Sequence, residues 1–316
     1  MRRTTNRTRI DPEQRRYLID RSVHELYKQF SHDALLQSFP VSIAAPDTTS
    51  EDPILQVQEI AHAIATHLHV DVREIIVSFR SDLGPAANVE LSSEEDFFIE
   101  INSRYKNDCD LLNAVLAHEV THIFLHRNHM RYPDELQNEI LTDTTAAYLG
   151  LGPIILNAHK TMHSLGSRGL LMLTTHKPGY LSADDFGYIV AERAYRFGDA
   201  PAHLLHFAEG RAAFRKGKKV VQARLRRPPY MAAPLWRRAT YFRKLARVSK
   251  YSNLMDQHSL ESVAHIGADG HAFRLCGGLK VRFRCAACNR GLQVPIGRSE
   301  IDVRCPTCGC SHRCYT

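Results

Sequence analysis

The sequence predicts an α+β fold. Three observations lead there: amphipathic helical runs before residue 70 and after residue 107, three short strand-like segments between them, and cysteines crowded at the C-terminal end. At 316 residues, with 44% hydrophobic and 24% charged residues, the chain is long enough for about two domains with a real core. No stretch approaches the ~18 uninterrupted apolar residues of a membrane span, and no apolar segment of the signal-peptide kind follows the basic N-terminus MRRTTNRTRI. Neither secretion nor membrane insertion is expected. Residues 1–10 share their acid-free composition with organelle transit peptides and equally with a frayed tail, and are read as a disordered basic tail.

The elements follow in order. Over residues 11–30, Leu18, Val23, Leu26, Tyr27 and Phe30 line one side of a helix begun by Asp11 and Pro12. A Pro-, Asp-, Thr- and Ser-rich loop occupies 44–53. Pro53 then opens a second helix in which Ile54, Val57, Ile60 and Ile64 recur at intervals of three and four, ending near Val70. Segments 75–79, 88–91 and 97–101 have strand character, and the turn-formers Ser81-Asp82-Leu83-Gly84-Pro85 and Ser92-Ser93 divide them into a small antiparallel sheet. After Asn107-Asp108, either of which suits an N-cap, residues 110–127 form a strong helix through Leu112, Val115, Leu116, Val120, Ile123 and Phe124. Another helix over 133–149 stops at Gly150, and 182–197 and 201–215 are helical as well. There is no internal repeat.

The 110–127 helix carries His118-Glu119-Val120-Thr121-His122, which puts two imidazoles on one face, one turn apart, where they can hold one Zn²⁺. Glu119 then points beside the metal, placed to take the proton of a water attacking a carbonyl. A hydrolytic zinc site needs a third protein ligand and an open position. Seventeen residues after His122, Glu139-Ile140-Leu141-Thr142-Asp143 offers two carboxylates one turn apart on the next helix. His126 and His129 are rival donors, but three histidines along one straight helix do not readily converge on one ion, and His126 is read as structural.

His-Glu-x-x-His followed by Glu-x-x-x-Asp resembles the gluzincin metallopeptidases, over about residues 70–150. The joint pattern arises by chance in under about one chain in a hundred. The resemblance implies a compact zincin-like catalytic domain, with Glu139 as third zinc ligand beside His118 and His122, Glu119 as general base, and Asp143 holding the ring of His118. The short gap to Glu139 and the Leu125-His126 after the motif are similar to the small phage-repressor-cleaving proteases. The clan often adds a Tyr or His donor for the oxyanion, for which Tyr148, His159, His163 and Tyr180 are all candidates. Strand 97–101 (FFIEI) stands where many zincins hold substrate by strand addition, and reads equally as a plain core strand. Cys109 is either a redox handle or a small buried residue.

Of eight cysteines, seven (276, 285, 288, 305, 308, 310 and 314) lie in the last 41 residues, a metal pattern of a reducing, cytoplasmic compartment rather than a disulfide framework. Cys285-x-x-Cys288 and Cys305-x-x-Cys308, sixteen residues apart, with Val294, Pro295, Ile301 and Val303 suited to two strands between them, look like a zinc ribbon. Four thiolates close a structural site, and zinc would supply ~10–16 kcal/mol of apparent folding free energy to a module almost without a core. Cys310, His312 and Cys314 are surplus, available to substitute for a ligand, to make another site, or to stay free.

The net charge of +7 is uneven: residues 211–250 hold 14 Lys or Arg and no acid, so the rest of the chain carries −7. With Tyr230, Trp236, Tyr241 and Phe242 interspersed, this block suits a phosphate backbone and base stacking. Residues 237–250 also place Tyr241, Leu245 and Val248 at helical spacing, so a helix docked on its own protein explains the aromatics equally.

The expected organisation is a disordered tail (1–10), a zincin-like metallopeptidase domain (11–200), a helical basic extension (201–278) and a zinc ribbon (279–316). The leading expectation is an intracellular zinc peptidase with one catalytic and one structural Zn²⁺, acting on protein or peptide, without membrane contact. Two alternatives stand beside it. One is a DNA-associated protease acting on nucleic-acid-bound proteins, supported by the domain plan but lacking that group's downstream histidine ligand. The other is a non-catalytic, zinc-stabilised nucleic-acid- or protein-binding regulator.

Overall fold

A computed structural model describes residues 10–43, 52–92, 95–165, 171–175, 179–251, 266–275, 277–297 and 299–316, with backbone alone for 161–165 and 171–175. Residues 1–9 of the expected tail, most of the loop before Pro53, and Cys276 lie outside the described residues, while Ile10 packs against the core. Mixed α and β structure with small sheets is what the chain forms. Among the described residues no helix is long and apolar enough to cross a membrane.

Aspartate N-caps start four of the helices. Asp11 caps α1 (Pro12–Gln29), Asp52 caps α3 (Pro53–His67), Asp108 caps α4 (Cys109–Arg127) and Asp134 caps α5 (Glu135–Ala146), each accepting main-chain N–H bonds from the first turn. Of the two candidate caps before the motif helix, Asp108 is the one used. Ser31 caps a short helix α2 (His32–Gln37) just after the first helix ends.

Helix α4 is the centre of the body. Leu111, Leu112, Val115, Leu116, Val120, Ile123, Phe124 and Leu125 are buried around its circumference. It packs against α3, α5, α6 (Gly152–Ala158) and a three-stranded sheet. That sheet is built from β1 (Glu74–Arg80), β2 (Ala87–Glu90) and β3 (Asp96–Asn102). Its order is β1-β3-β2, with β3 parallel to β1 and antiparallel to β2, so the expected all-antiparallel sheet is corrected to a mixed one. The reason lies in burial: the central position buries Phe97, Ile99 and Ile101 of β3 completely. The chain therefore passes from β1 to the far edge and turns back into the middle.

Gly150 has the left-handed conformation expected of a helix stop (φ 96°), yet the chain makes one wide turn over Ala147–Leu151 and re-enters helix as α6. A two-stranded hairpin, β4 (Thr161–Leu165) with β5 (Leu171–Thr175), follows. Helix α7 (Ala183–Phe197) starts with a capping box between Ser182 and Asp185 and packs along α8 (Ala208–Leu225), which runs well past the expected end at 215. The two backbones nearly touch: a Cβ on Gly187 would lie 2.3 Å from the Ala213 carbonyl, and one on Gly217 would lie 2.2 Å from the Gly187 oxygen. Across the same contact Arg224 of α8 turns inward to pair with Asp20 of α1 and Glu192 of α7, and Tyr188 lies 2.6 Å from both carboxylates. Burial, with Asp20 close by, outweighs Arg224 and pushes the Glu192 carboxyl up to about 7.

At the C-terminal end β6 (His271–Leu275), β7 (Leu279–Arg284) and β8 (Gly291–Pro295) form an antiparallel sheet beside the β9 (Ile301–Arg304) and β10 (Ser311–Cys314) hairpin. Strand β6 precedes the boundary expected at 279. The module is fastened to the basic segment: Tyr230 forms a bridge with Cys314 and donates its hydroxyl to the Arg284 carbonyl at 2.6 Å. Tyr241 of α9 (Leu235–Tyr251) donates to the Tyr315 carbonyl at 3.0 Å and packs on His271 and Phe273. Both tyrosines of the basic block are thus explained by internal packing.

The α7–α8 contact generates a test. Alanine normally stabilises a helix interior by about 1 kcal/mol over glycine, but at Gly217 the Cβ meets rigid backbone. Gly217→Ala is expected to lower stability by about 1–3 kcal/mol in urea denaturation. Lys219→Ala on the exposed side should be near neutral.

Candidate metal centres and cleft

Helices α4 and α5 bring His118, His122 and Glu139 to one point, as the sequence spacing predicts. His118 Nε2 lies 3.0 Å from His122 Nε2 and 3.1 Å from Glu139 Oε2, and His122 Nε2 lies 3.5 Å from the same oxygen. Tetrahedral ligands about 2.05 Å from an ion are separated by about 3.3 Å, so these three atoms are spaced as a chelating set. Together they could hold a metal ion.

The outer ring nitrogens say which atoms face inward. Asp143 Oδ1 lies 2.8 Å from His118 Nδ1, and a carboxylate there requires Nδ1 to carry the proton. Thr142 Oγ1 donates to the Asn138 carbonyl at 3.1 Å and so offers a lone pair to His122 Nδ1, 3.3 Å away. Both rings are thereby set with an Nε2 lone pair toward Glu139. Two lone pairs and a carboxylate facing one another are a donor set that a cation would satisfy. Burial opposes charge on His118, yet its hydrogen bonds to Asp143 and Glu139 outweigh this and lift its pKa well above the usual range, so positive charge is favoured at this point. Burial also opposes charge on Glu139, but the two histidines pull its carboxyl down to about 2.

Asp143 has a further role that its sequence position did not disclose. It is 1% exposed, and its Oδ2 accepts the N–H groups of Tyr180 at 2.6 Å and Leu181 at 2.9 Å. The preceding residue must be glycine: Gly179 has φ 78°, and a Cβ there would lie 2.6 Å from Asp143 Oδ1. This loop lays the Tyr180 ring beside His118, with centroids 6.4 Å apart and planes 23° apart.

The cluster opens into a cleft of about 970 Å³. Glu119 lines it at 7% exposure, and among the described residues no hydrogen bond engages its carboxylate. Burial raises the Glu119 pKa, and the two histidines only partly offset this. Opposite stands β2, whose Ala87, Asn88 and Val89 line the cleft. Strand β3 is paired on both sides, so the expectation that strand 97–101 receives an extended chain is corrected: that strand is the plain core strand, and the edge strand that lines the cleft is β2.

Of the candidate oxyanion donors, Tyr180 lines the cleft. Tyr148 is fully buried, with its hydroxyl 2.8 Å from that of Tyr27, and His159 is buried with Nδ1 on the Ile155 carbonyl. The side chain of His163 lies outside the described residues. His126 and His129 are exposed on the cleft wall and do not join the His118, His122 and Glu139 group. Cys109 is half-buried at the first position of α4.

Cys285, Cys288, Cys305 and Cys308 gather at the other end with all four sulfurs within 4.8 Å of one another, and could hold a structural metal ion. Cys285 Sγ lies 3.7 Å from Cys308 Sγ and Cys288 Sγ lies 3.6 Å from Cys305 Sγ. A disulfide needs about 2.05 Å. Four thiolates about 2.3 Å from an ion are about 3.8 Å apart, close to what is seen. The two knuckles are twins: Asn289 donates to the Cys285 carbonyl at 3.0 Å and Gly309 to the Cys305 carbonyl at 2.9 Å, both in left-handed conformation. Of the surplus residues, His312 Nε2 lies 3.1 Å from Cys285 Sγ, where it can donate to a thiolate. Cys314 packs in the core and Cys310 is half-exposed.

Two outcomes follow. Elemental analysis should find two metal ions per chain, falling to one in His118→Ala/His122→Ala. Asp143→Asn removes the charge that fixes the His118 ring, and chelator competition should show the cleft site weakened about 10–100-fold with the four-cysteine site unchanged. The chain matches no family model, and no curated protein or solved structure is significantly similar to it.

Proposed function

We propose that the chain is a zinc-dependent peptidase of gluzincin-like plan, with a zincin-like catalytic body and a C-terminal zinc ribbon. The observation that carries this reading is the convergence of two Nε2 lone pairs and one carboxylate oxygen at the floor of an open cleft, with Glu119 beside them. The donor sets favour zinc at both centres: imidazole and carboxylate with an open position in the cleft, four thiolates in the closed site. When bound by His118, His122 and Glu139, zinc supplies Lewis-acid polarisation of a carbonyl and acidifies water.

The chain's own residues do the rest. An extended peptide pairs its main chain with the free edge of β2, which presents the scissile carbonyl to the cleft floor. Glu119, whose carboxyl pKa is raised by burial, takes the proton of the attacking water and passes it to the leaving amine nitrogen. Tyr180, which lines the cleft beside His118, donates a hydrogen bond to the carbonyl oxygen as it gains negative charge. A purely structural site beside these histidines would have no use for a carboxylate such as Glu119 in the cleft.

Glu119→Gln keeps shape and removes the base. It should retain two zinc ions and lose about 10²–10⁴-fold in kcat on a peptide-library substrate. Wild-type turnover by that variant would sink the mechanism. Tyr180→Phe should lower kcat by about 10–10³-fold while leaving KM nearly unchanged.

A further inference from the structure

The basic block divides into residues used by the fold and residues left over. Arg224 is turned inward, Lys216 and Lys244 pair with Asp184 and Asp269, and Tyr230 and Tyr241 pack internally. In α9, Tyr241, Leu245 and Val248 face the protein. At ~100° per residue, Trp236, Arg243, Arg247 and Lys250 fall together on the opposite side, a stripe about 21 Å long. All four are exposed. Among the described residues no carboxylate pairs with Arg243, Arg247 or Lys250.

Trp236 is the chain's single tryptophan and is 66% exposed, a costly position for an indole. The Arg237 guanidinium sits 4.9 Å from its ring centroid and leaves the indole largely open to solvent. At this end α8 adds Arg226, whose carbonyl accepts from Arg237 at 3.3 Å. Burial and the charges of Arg224 and Arg237 lower the pKa of Arg227 here.

We propose that the outer face of α9, extended by the basic end of α8, is a binding site for single-stranded nucleic acid. The cations of the stripe track the phosphates, and Trp236 stacks on an unpaired base. A membrane surface fits less well, because the apolar face of α9 is already spent on the C-terminal module and only the charged face is left. A duplex fits less well too, since its bases are stacked on each other and offer the indole nothing. The site stands whether or not the cleft hydrolyses peptides.

The single tryptophan makes the test direct. Full-length protein is titrated with a mixed-sequence 20-nucleotide DNA strand, its duplex, heparin and phosphatidylserine vesicles, following intrinsic fluorescence and, for labelled strands, anisotropy. The single strand should bind saturably and quench the fluorescence. Arg243→Ala/Arg247→Ala/Lys250→Ala should reduce the slope of log K against log salt by about two. Trp236→Ala, read by anisotropy, should weaken binding about 5- to 100-fold. These side chains are exposed, so both variants should keep the wild-type Tm and metal content, which checks folding. The proposal is overturned if the single strand fails to bind at 50 mM salt, or if binding survives the triple substitution unchanged. It is equally overturned if duplex, heparin or vesicles bind as tightly and fluorescence is not quenched.

Discussion

A carboxylate that is 1% exposed, Asp143, holds three separate pieces of the chain in one place. One oxygen takes the Nδ1 proton of His118 on α4, the other takes two main-chain N–H groups from the Tyr180 loop, and the residue itself belongs to α5. A buried charge is expensive unless hydrogen-bonded, and here each bond made to offset the cost also orients something in the cleft. The ring of His118, the spacing to Glu139 and the position of Tyr180 all depend on it. Thr142, one residue earlier, does the same for His122 with a neutral hydroxyl.

What the sequence made legible was local. The i, i+4 spacing of His118 and His122, the acidic caps, and the paired Cys-x-x-Cys knuckles are all short-range geometry, and the structure places them as the spacing requires. The Glu139 and Asp143 pair was legible because one turn of helix separates them. What escaped was set by distant partners. Strand order is one instance: β3 pairs with β1 and β2 alike, and no pattern within Phe97 to Ile101 says that both of its edges are taken. The hold of Asp143 on Tyr180 spans 37 residues, and only the left-handed Gly179 marked that loop. Helix α2 is too short to show a period, and the turn that carries the chain past Gly150 looked like a stop.

The two halves of the basic block show how composition misleads when taken whole. Forty residues without an acid read as one electrostatic feature, yet the fold spends part of them on its own assembly. Arg224 joins three helices through Asp20 and Glu192, while Tyr230 and Tyr241 fasten the C-terminal module to the body. Only the remainder is available to a partner. The four cysteines therefore sit on a module tied back to the helices, with Arg196 of α7 donating to the Cys308 carbonyl, rather than on a loosely tethered appendage.

The free edge of β2 has a cost that bears on every copy of the molecule. An unpaired strand edge offers main-chain donors and acceptors to any extended chain, a second copy of itself included, and such edges template aggregation. Here the edge is four residues long, follows Pro85, carries Asn88 and ends at Glu90. Ala87, Asn88 and Val89 of this strand line the cleft. Shortness, a nearby proline and a terminal charge are among the means by which sheets avoid sticking to one another. The strand is long enough to register a few residues of an extended segment and too short to seed a growing sheet.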